Sequence, residues 1–292
     1  MNPVSAYSAN DSLGEGPVWN SGEQALYWLD ILNFRLQRWQ PDTNDYQAWT
    51  LPCEIGSYAF CETHNKVIVA LKTGFHFLEL KTGGLEAITD PEEGMTDNRF
   101  NDGKCDRAGR FWAGTMGMNT NGDGDVPTGA LYRLDADLAC STQRRNVGIS
   151  NGLGWSPDNK VMYYTDSPLN KILAFDYDVE TGSLSGERVF ANIHKGVPDG
   201  LTVDSEGNVW SAAWNGWRVH KFSPDGRLVA EIELPTACPT SCTFGGPNLD
   251  ELFITSARVI LSEDELNQQP LAGHIFKVKT DVKGLLEPRF AG

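Results

Sequence analysis

The chain has 292 residues, 40% of them hydrophobic, enough to build a real core in one large domain or two small ones. Its formal charge of -15 and lack of any basic cluster argue against a phosphate backbone, and so against nucleic acid as partner. No stretch approaches the roughly 18 consecutive apolar residues of a membrane span, and the N-terminus lacks the basic and apolar regions of an export signal, so the expectation is a cytoplasmic protein with no membrane partner.

Along the chain, the segment around Tyr7 reads as a strand that completes the last unit of a ring. From Glu15 onward a unit recurs: a polar residue, a turn, a short hydrophobic strand, a gap and a further strand. Its copies are EGPVWNSGEQALYWLD from Glu15, SYAFCETHNKVIVALK from Ser57, NDGKCDRAGRFWAGTM from Asn101, NGLGWSPDNKVMYYTD from Asn151, DGLTVDSEGNVWSAAW from Asp199 and, less regularly, CTFGGPNLDELFITSA from Cys242. Second-strand material centres on Trp28, Val69, Trp112, Tyr164, Trp210 and Phe253. Turn signals such as Ser156-Pro157-Asp158-Asn159 and Asp204 to Asn208 separate the first two strands. Third strands follow as RLQRWQP, GFHFLEL, GALYRLD, KILAFDYD, WRVHKFSP and GHIFKVKT, with polar and apolar residues alternating. Only LSEDELNQ, residues 261–268, suggests a helix.

A spacing of about 40–50 residues is that of one four-stranded propeller blade. The prediction is an all-β, six-bladed β-propeller with four-stranded blades, spanning residues 1–292 as a single domain, with a metal on its central axis. A pair of β-sandwiches has no reason to repeat one register six times. Cys53, Cys61, Cys105, Cys140, Cys238 and Cys242 read as thiols of a reducing compartment, and Cys238-x3-Cys242 lacks the partners of a zinc site.

First strands line a propeller's channel, so the first residues of the copies form a ring: Glu15, Ser57, Asn101, Asn151, Asp199 and Cys242. Polar residues that begin strands are common turn formers, but two carboxylates converging on a narrow axis repel unless a cation lies between them. A divalent metal held by Glu15, Asn151 and Asp199 resolves the conflict. Oxygen donors favour calcium, magnesium or manganese, and carboxylates also accept zinc. Fifteen residues further on stand Asp30, Lys72, Met116, Asp166 and Trp214. Asp30 and Asp166 are candidates for an outer shell that orients ligands; a strand-end bond to a turn is the equal alternative.

The sequences LGEGPVW (13–19), NRFNDGK (98–104), GTM (114–116), ISNGLGWS (149–156), PDGLTVDSEGNVW (198–210) and SCTFGG (241–246) carry a family resemblance over essentially the full length. The chain resembles the family of regucalcin (senescence marker protein), gluconolactonases and luciferin-regenerating enzyme. The resemblance implies one divalent metal on Glu15, Asn151 and Asp199, and substrate contacts from Arg99 and Asn101. Members often carry a carboxylate after the GTM segment where this chain has Asn119, so contacts to sugar hydroxyls there are expected to differ. The loop 119–128 is a candidate lid.

The implied activity is metal-assisted hydrolysis of a sugar lactone to its aldonic acid, with Asp199 as both metal ligand and base. The expected protein is a monomer or weak homo-oligomer. Alternatives are a phosphotriesterase of the diisopropylfluorophosphatase type, a non-catalytic calcium-binding regulator, or an interaction propeller. Three motifs are set aside. GISNG (148–152) matches a nucleophile elbow around Ser150, but a strand rather than a helix follows it. His64, His76, His194, His220 and His274 show no metal-binding spacing. NTNGDGD (119–125) has Ala130 where a calcium loop needs Glu.

Overall fold

Short runs of β-branched and aromatic residues, each bounded by a turn, make the chain almost wholly β. The computed structural model describes residues 2–63, 66–118 and 127–292. Strand β1 (Val4–Tyr7) comes first, followed by β2 (Gly14–Asn20), β3 (Ala25–Asp30), β4 (Arg35–Gln40) and β5 (Asp45–Thr50) of blade 1. Blade 2 holds β6 (Ile55–Phe60), β7 (Lys66–Leu71), β8 (Gly74–Glu79) and β9 (Leu85–Thr89), and blade 3 holds β10 (Asn98–Cys105), β11 (Phe111–Gly117), β12 (Gly129–Leu134) and β13 (Cys140–Val147). Blade 4 is β14 (Ser150–Trp155), β15 (Val161–Asp166), β16 (Lys171–Asp178) and β17 (Ser183–Asn192). Blade 5 is β18 (Val197–Val203), β19 (Val209–Trp214), β20 (Arg218–Phe222) and β21 (Leu228–Glu233). Blade 6 takes β22 (Pro239–Gly245), β23 (Glu251–Ser256) and β24 (Ile275–Lys279), and β1 is its fourth strand.

Each blade is an antiparallel four-stranded meander, and the inner strands β2, β6, β10, β14, β18 and β22 touch one another in sequence round a ring that returns to β2. This is the six-bladed propeller. The centres of the second strands (Trp28, Val69, Trp112, Tyr164, Trp210 and Phe253) are all 0% exposed. The turns between the first two strands close as their residues require. Asp106, Ser156 and Asp204 accept backbone N–H groups across the turn, while Gly109, Asn159 and Gly207 supply its left-handed residue. Asp106 and Asp204 also accept the indole N–H of Trp112 (2.8 Å) and Trp210 (2.9 Å), which pins each turn to the blade core.

The hydrophobic core is not on the axis. It lies in wedges between neighbouring blades: Leu29 with Ile55 and Val69 between blades 1 and 2, and Trp28 with Phe253 between blades 6 and 1. The axis is left to polar residues. Helix α1 (Glu263–Gln268), between β23 and β24, begins with a capping box of Ser262 and Glu265. Among the described residues no helix is long and apolar enough to cross a membrane. All six cysteines are free thiols.

After β24 the chain crosses the face that carries the first turns. Ser205 N–H donates to Lys283 O, Arg107 to Leu286 O, Phe290 N–H to Phe60 O, and Ala291 N–H to Gly109 O. This tail lies across the channel end on that side and touches blades 6, 5, 3 and 2, with Gly284 N–H donating to Leu249 O of blade 6.

Candidate functional site

Every inner strand loses register with its neighbour near the axis: between Glu15 and Val18, Ile55 and Ser57, Phe100 and Gly103, Asn151 and Leu153, Pro198 and Leu201, and Pro239 and Cys242. Such bulges re-aim side chains that strict alternation would send elsewhere. They bring in Glu15, Asn101, Asp102, Asn151 and Asp199, all buried. In blade 6 the bulge holds Thr240 and Ser241. Cys242 lies beyond it, packed in the core between blades 5 and 6, and so is not part of the ring predicted from the repeat.

A chain of hydrogen bonds joins three blades. Arg99 Nη1 donates to Asn101 Oδ1 (2.7 Å), Asn101 Nδ2 to Asn151 Oδ1 (2.9 Å), Asn151 Nδ2 to Ser167 Oγ (2.8 Å), and Ser167 Oγ to Pro198 O (2.7 Å). The last bond orients the others. With its proton on Pro198, Ser167 offers Asn151 only lone pairs, so the amide must present its NH2 there and its oxygen toward Asn101. A second lone pair of Asn151 Oδ1 remains for a cation.

The carboxylates are poorly compensated. Burial pushes Glu15 well above the usual carboxylate range, and the nearby charges of Asp199 and Asp102 add to the rise. Asp199 is raised for the same reasons, burial first and then Asp102. Asp102 is pushed up to about 6 by burial, with Lys104 opposing. Arg99 is the cation among them, its own pKa lowered by burial against the pull of Glu15, Glu54 and Asp199. Among the described residues it makes no ion pair, so it is a buried member of the site and not a rim salt bridge. Two hard carboxylates and an oriented amide oxygen, short of positive charge, are oxygen ligands of the kind that hard divalent cations accept. No three His, Cys, Asp or Glu side chains converge as a metal cluster among the described residues; the third donor of this trio is an amide.

Asp30 and Asp166 stand at matching places in blades 1 and 4. Asp30 accepts the backbone N–H of Ser12 and Leu13 (both 3.1 Å), and Asp166 those of Gly148 and Ile149 (3.1 and 3.0 Å). These backbone bonds lie two or three residues before Glu15 and Asn151, and Asp30 also accepts Asn33 Nδ2 (2.6 Å). They hold the strand that carries each residue. Asn119 and most of the loop 119–128 lie outside the described residues, as does His64; Thr128 hydroxyl bonds Asn98 Oδ1 (2.7 Å). Ser150 Oγ accepts the Tyr164 hydroxyl (2.9 Å) in a fully buried strand start, and among the described residues no general base hydrogen-bonds to it. Trp214 packs on Ala237 and Ala257, and Met118 is exposed.

Two residues of the site escape sequence reasoning. Asp102 follows Asn101, and alternation would place them on opposite faces. Ser167 sits in the short 3-10 turn after β15, where Asp-Ser-Pro reads only as a turn.

Comparison with known proteins gives a consistent picture. A family model described as the SMP-30/Gluconolactonase/LRE-like region matches residues 13–258. A 6-deoxy-6-sulfogluconolactonase of Pseudomonas putida is 40% identical over 96% of this chain and 95% of its own. Regucalcin of Xenopus laevis is 37% identical over 96% of this chain and 95% of its own. Among solved structures, a luciferin-regenerating enzyme superposes with a TM-score of 0.92 at 33% identity, each chain covered 100%. A calcium-binding protein, regucalcin, from Agrobacterium tumefaciens superposes with a TM-score of 0.93 at 28% identity, covering 99% of this chain and 97% of its own.

Proposed function

This chain belongs to the SMP-30/gluconolactonase/LRE-like family, and from that premise we propose that it hydrolyses a sugar lactone to the aldonic acid at the axial site, the whole propeller acting as one domain. The observation that carries the reading is the pairing of under-compensated Glu15 and Asp199 with the oriented amide of Asn151. These three residues would hold one divalent cation, calcium or zinc before manganese or magnesium. Bound there, a divalent cation supplies Lewis-acid polarisation of an ester carbonyl and neutralises the buried carboxylates. Asp199 takes the proton of the attacking water. Arg99 directs its remaining donors to the lactone's oxygens, and Asn101, held by Arg99, fixes where a hydroxyl lies. The Pseudomonas relative, named for a sulfonated gluconolactone, supports a six-carbon aldonolactone as first substrate to try.

The test is hydrolysis of five- and six-membered aldonolactones by protein stripped and reloaded with calcium, zinc, manganese or magnesium. Glu15→Ala and Asp199→Ala are expected to lose metal binding and turnover while keeping the wild-type β-sheet spectrum, because the core lies between blades. Turnover at the wild-type rate by metal-free protein would refute the mechanism. A second reading, calcium binding without catalysis, is favoured by the name of the Agrobacterium structure. Stoichiometric calcium binding with no hydrolysis of any lactone would select it.

A further inference from the structure

Three hydrogen bonds cross the gaps between blades and end on the same kind of atom. Asn101 Nδ2 of blade 3 donates to Ser150 O (2.8 Å), Ser167 Oγ of blade 4 to Pro198 O (2.7 Å), and Thr240 Oγ1 of blade 6 to Gly14 O. Each of these carbonyls belongs to the residue just before one of the axial oxygen donors: Ser150 before Asn151, Pro198 before Asp199, Gly14 before Glu15. In each case the donor side chain comes from the preceding blade of the ring. The other three blades lack the device. Among the described residues, no side chain of a neighbouring blade donates to the carbonyl of Gly56, Phe100 or Pro239, which precede Ser57, Asn101 and Thr240. Phe100 O accepts only Arg99 of its own strand (2.8 Å).

Thr240 occupies in blade 6 the place of Asn101 in blade 3 and Asp199 in blade 5. Each is the first of two bulge residues without a cross-strand partner. Its hydroxyl meets Gly14 O and Thr255 Oγ1 (2.7 Å), and both threonines are 0% exposed. A carbonyl only accepts, so Thr240 donates to Gly14, and the Thr255 hydroxyl then donates to Thr240. Two buried hydroxyls in series thus fix the plane of the peptide that joins Gly14 to Glu15. That peptide needs a hold. Glu15, Asp199 and Asp102 are all buried near the axis, and like charges at close quarters repel. A backbone gripped from the next blade cannot relieve the repulsion by drawing back, so the donors stay converged. Order built in on folding does not have to be created on binding.

We propose that Thr240 is the positioning residue of Glu15, and that each axial donor is held by a side chain of the preceding blade. The proposal rests on the reading of Glu15, Asn151 and Asp199 as cation ligands.

The experiment is calorimetric titration of full-length, chelator-stripped protein with calcium, zinc, manganese and magnesium in turn, the variants being compared with the cation that wild type binds. Thr240→Val keeps the shape but loses the donor, and is expected to bind at least about tenfold more weakly. Thr240→Ser keeps the donor and is expected to bind close to wild type. So is the control Thr280→Val, which removes a buried hydroxyl bond to Val282 O (2.7 Å) at the far end of the same blade. Thr240→Ala, which also lacks the donor, keeps the result decisive if Thr240→Val fails to fold. Wild-type affinity without the hydroxyl, or no rescue by Thr240→Ser, would overturn the proposal. Equal weakening in Thr280→Val would trace the effect to a loosened blade 6 and overturn it too. A wild-type protein that binds none of the four cations would instead overturn the cation reading, and the positioning role would fall with it.

Discussion

Ser167 spends its proton on Pro198, and that choice reaches the axis through the Asn151 amide. Outer contacts of this kind tune metal affinity by about 10–100-fold. Ser167→Ala is therefore expected to weaken calcium binding by about tenfold with little change in stability; a calcium titration showing wild-type affinity would remove the serine from the site. A second prediction concerns Asp11, a buried carboxyl that accepts Trp28 Nε1 (2.7 Å) and Gln37 Nε2 (2.9 Å). Burial, with the charge of Asp30 adding to it, raises its pKa from 3.8 to about 7. Between those values the folded state holds a proton that the unfolded state has lost, so Asp11's contribution to stability falls as pH rises, by at most about 1.4 kcal/mol per unit. Urea midpoints at about pH 5 and 7.5 should drop more for wild type than for Asp11→Asn, the other carboxyls being common to both. Equal drops would mean that Asp11 does not titrate there. At this scale the sequence was readable where the repeat repeated. Glu15, Asn151 and Asp199 share a place in their copies, whereas Asp102 and Ser167 depend on a bulge and a short turn that leave no periodic trace.

The inner strands approach so closely that some positions tolerate no side chain. A Cβ on Gly56 would lie 2.4 Å from Phe100 C and O and 2.6 Å from Asn101 N, all backbone atoms of β10. Gly56→Ala must then displace the segment that carries Arg99 and Asn101, at a cost of about 1–3 kcal/mol in stability. Lactone turnover should fall at least tenfold in KM or kcat; a folded variant with unaltered kinetics would show that β10 has slack. The strands readable in sequence were those with a buried face: the first, second and third of each blade. The outer strands β5, β13, β17 and β21 have mostly exposed or half-buried side chains and too little alternation to be distinguished from loops. They form because the third strand offers them an edge.

Ring closure depends on β1, whose Val4 and Ser5 pair with Lys277 and Phe276 of β24. Tyr7 then packs on Trp28, Trp39 and Tyr46 of blade 1 (ring centroids 5.8, 5.2 and 5.6 Å), so one short strand joins the last blade to the first. Deleting residues 2–7 should lower the melting temperature and expose the edge of β24, seen as light scattering on mild heating. Unchanged melting would show that the wedge between blades 6 and 1 suffices. The count of blades and this closure were legible because each blade repeats a sequence unit. The tail was not, since residues 281–292 follow no repeat and find their places only on turns and strand ends of four separate blades. That arrangement has a consequence for biosynthesis. A ribosome adding about 5–20 residues per second delivers β1 tens of seconds before β24 exists, so the first strand made waits for almost the last. Glu15 likewise emerges long before Asn151 and Asp199. A nascent chain thus cannot bring these three residues together until most of translation is complete, and a message truncated before β24 yields blades without a ring.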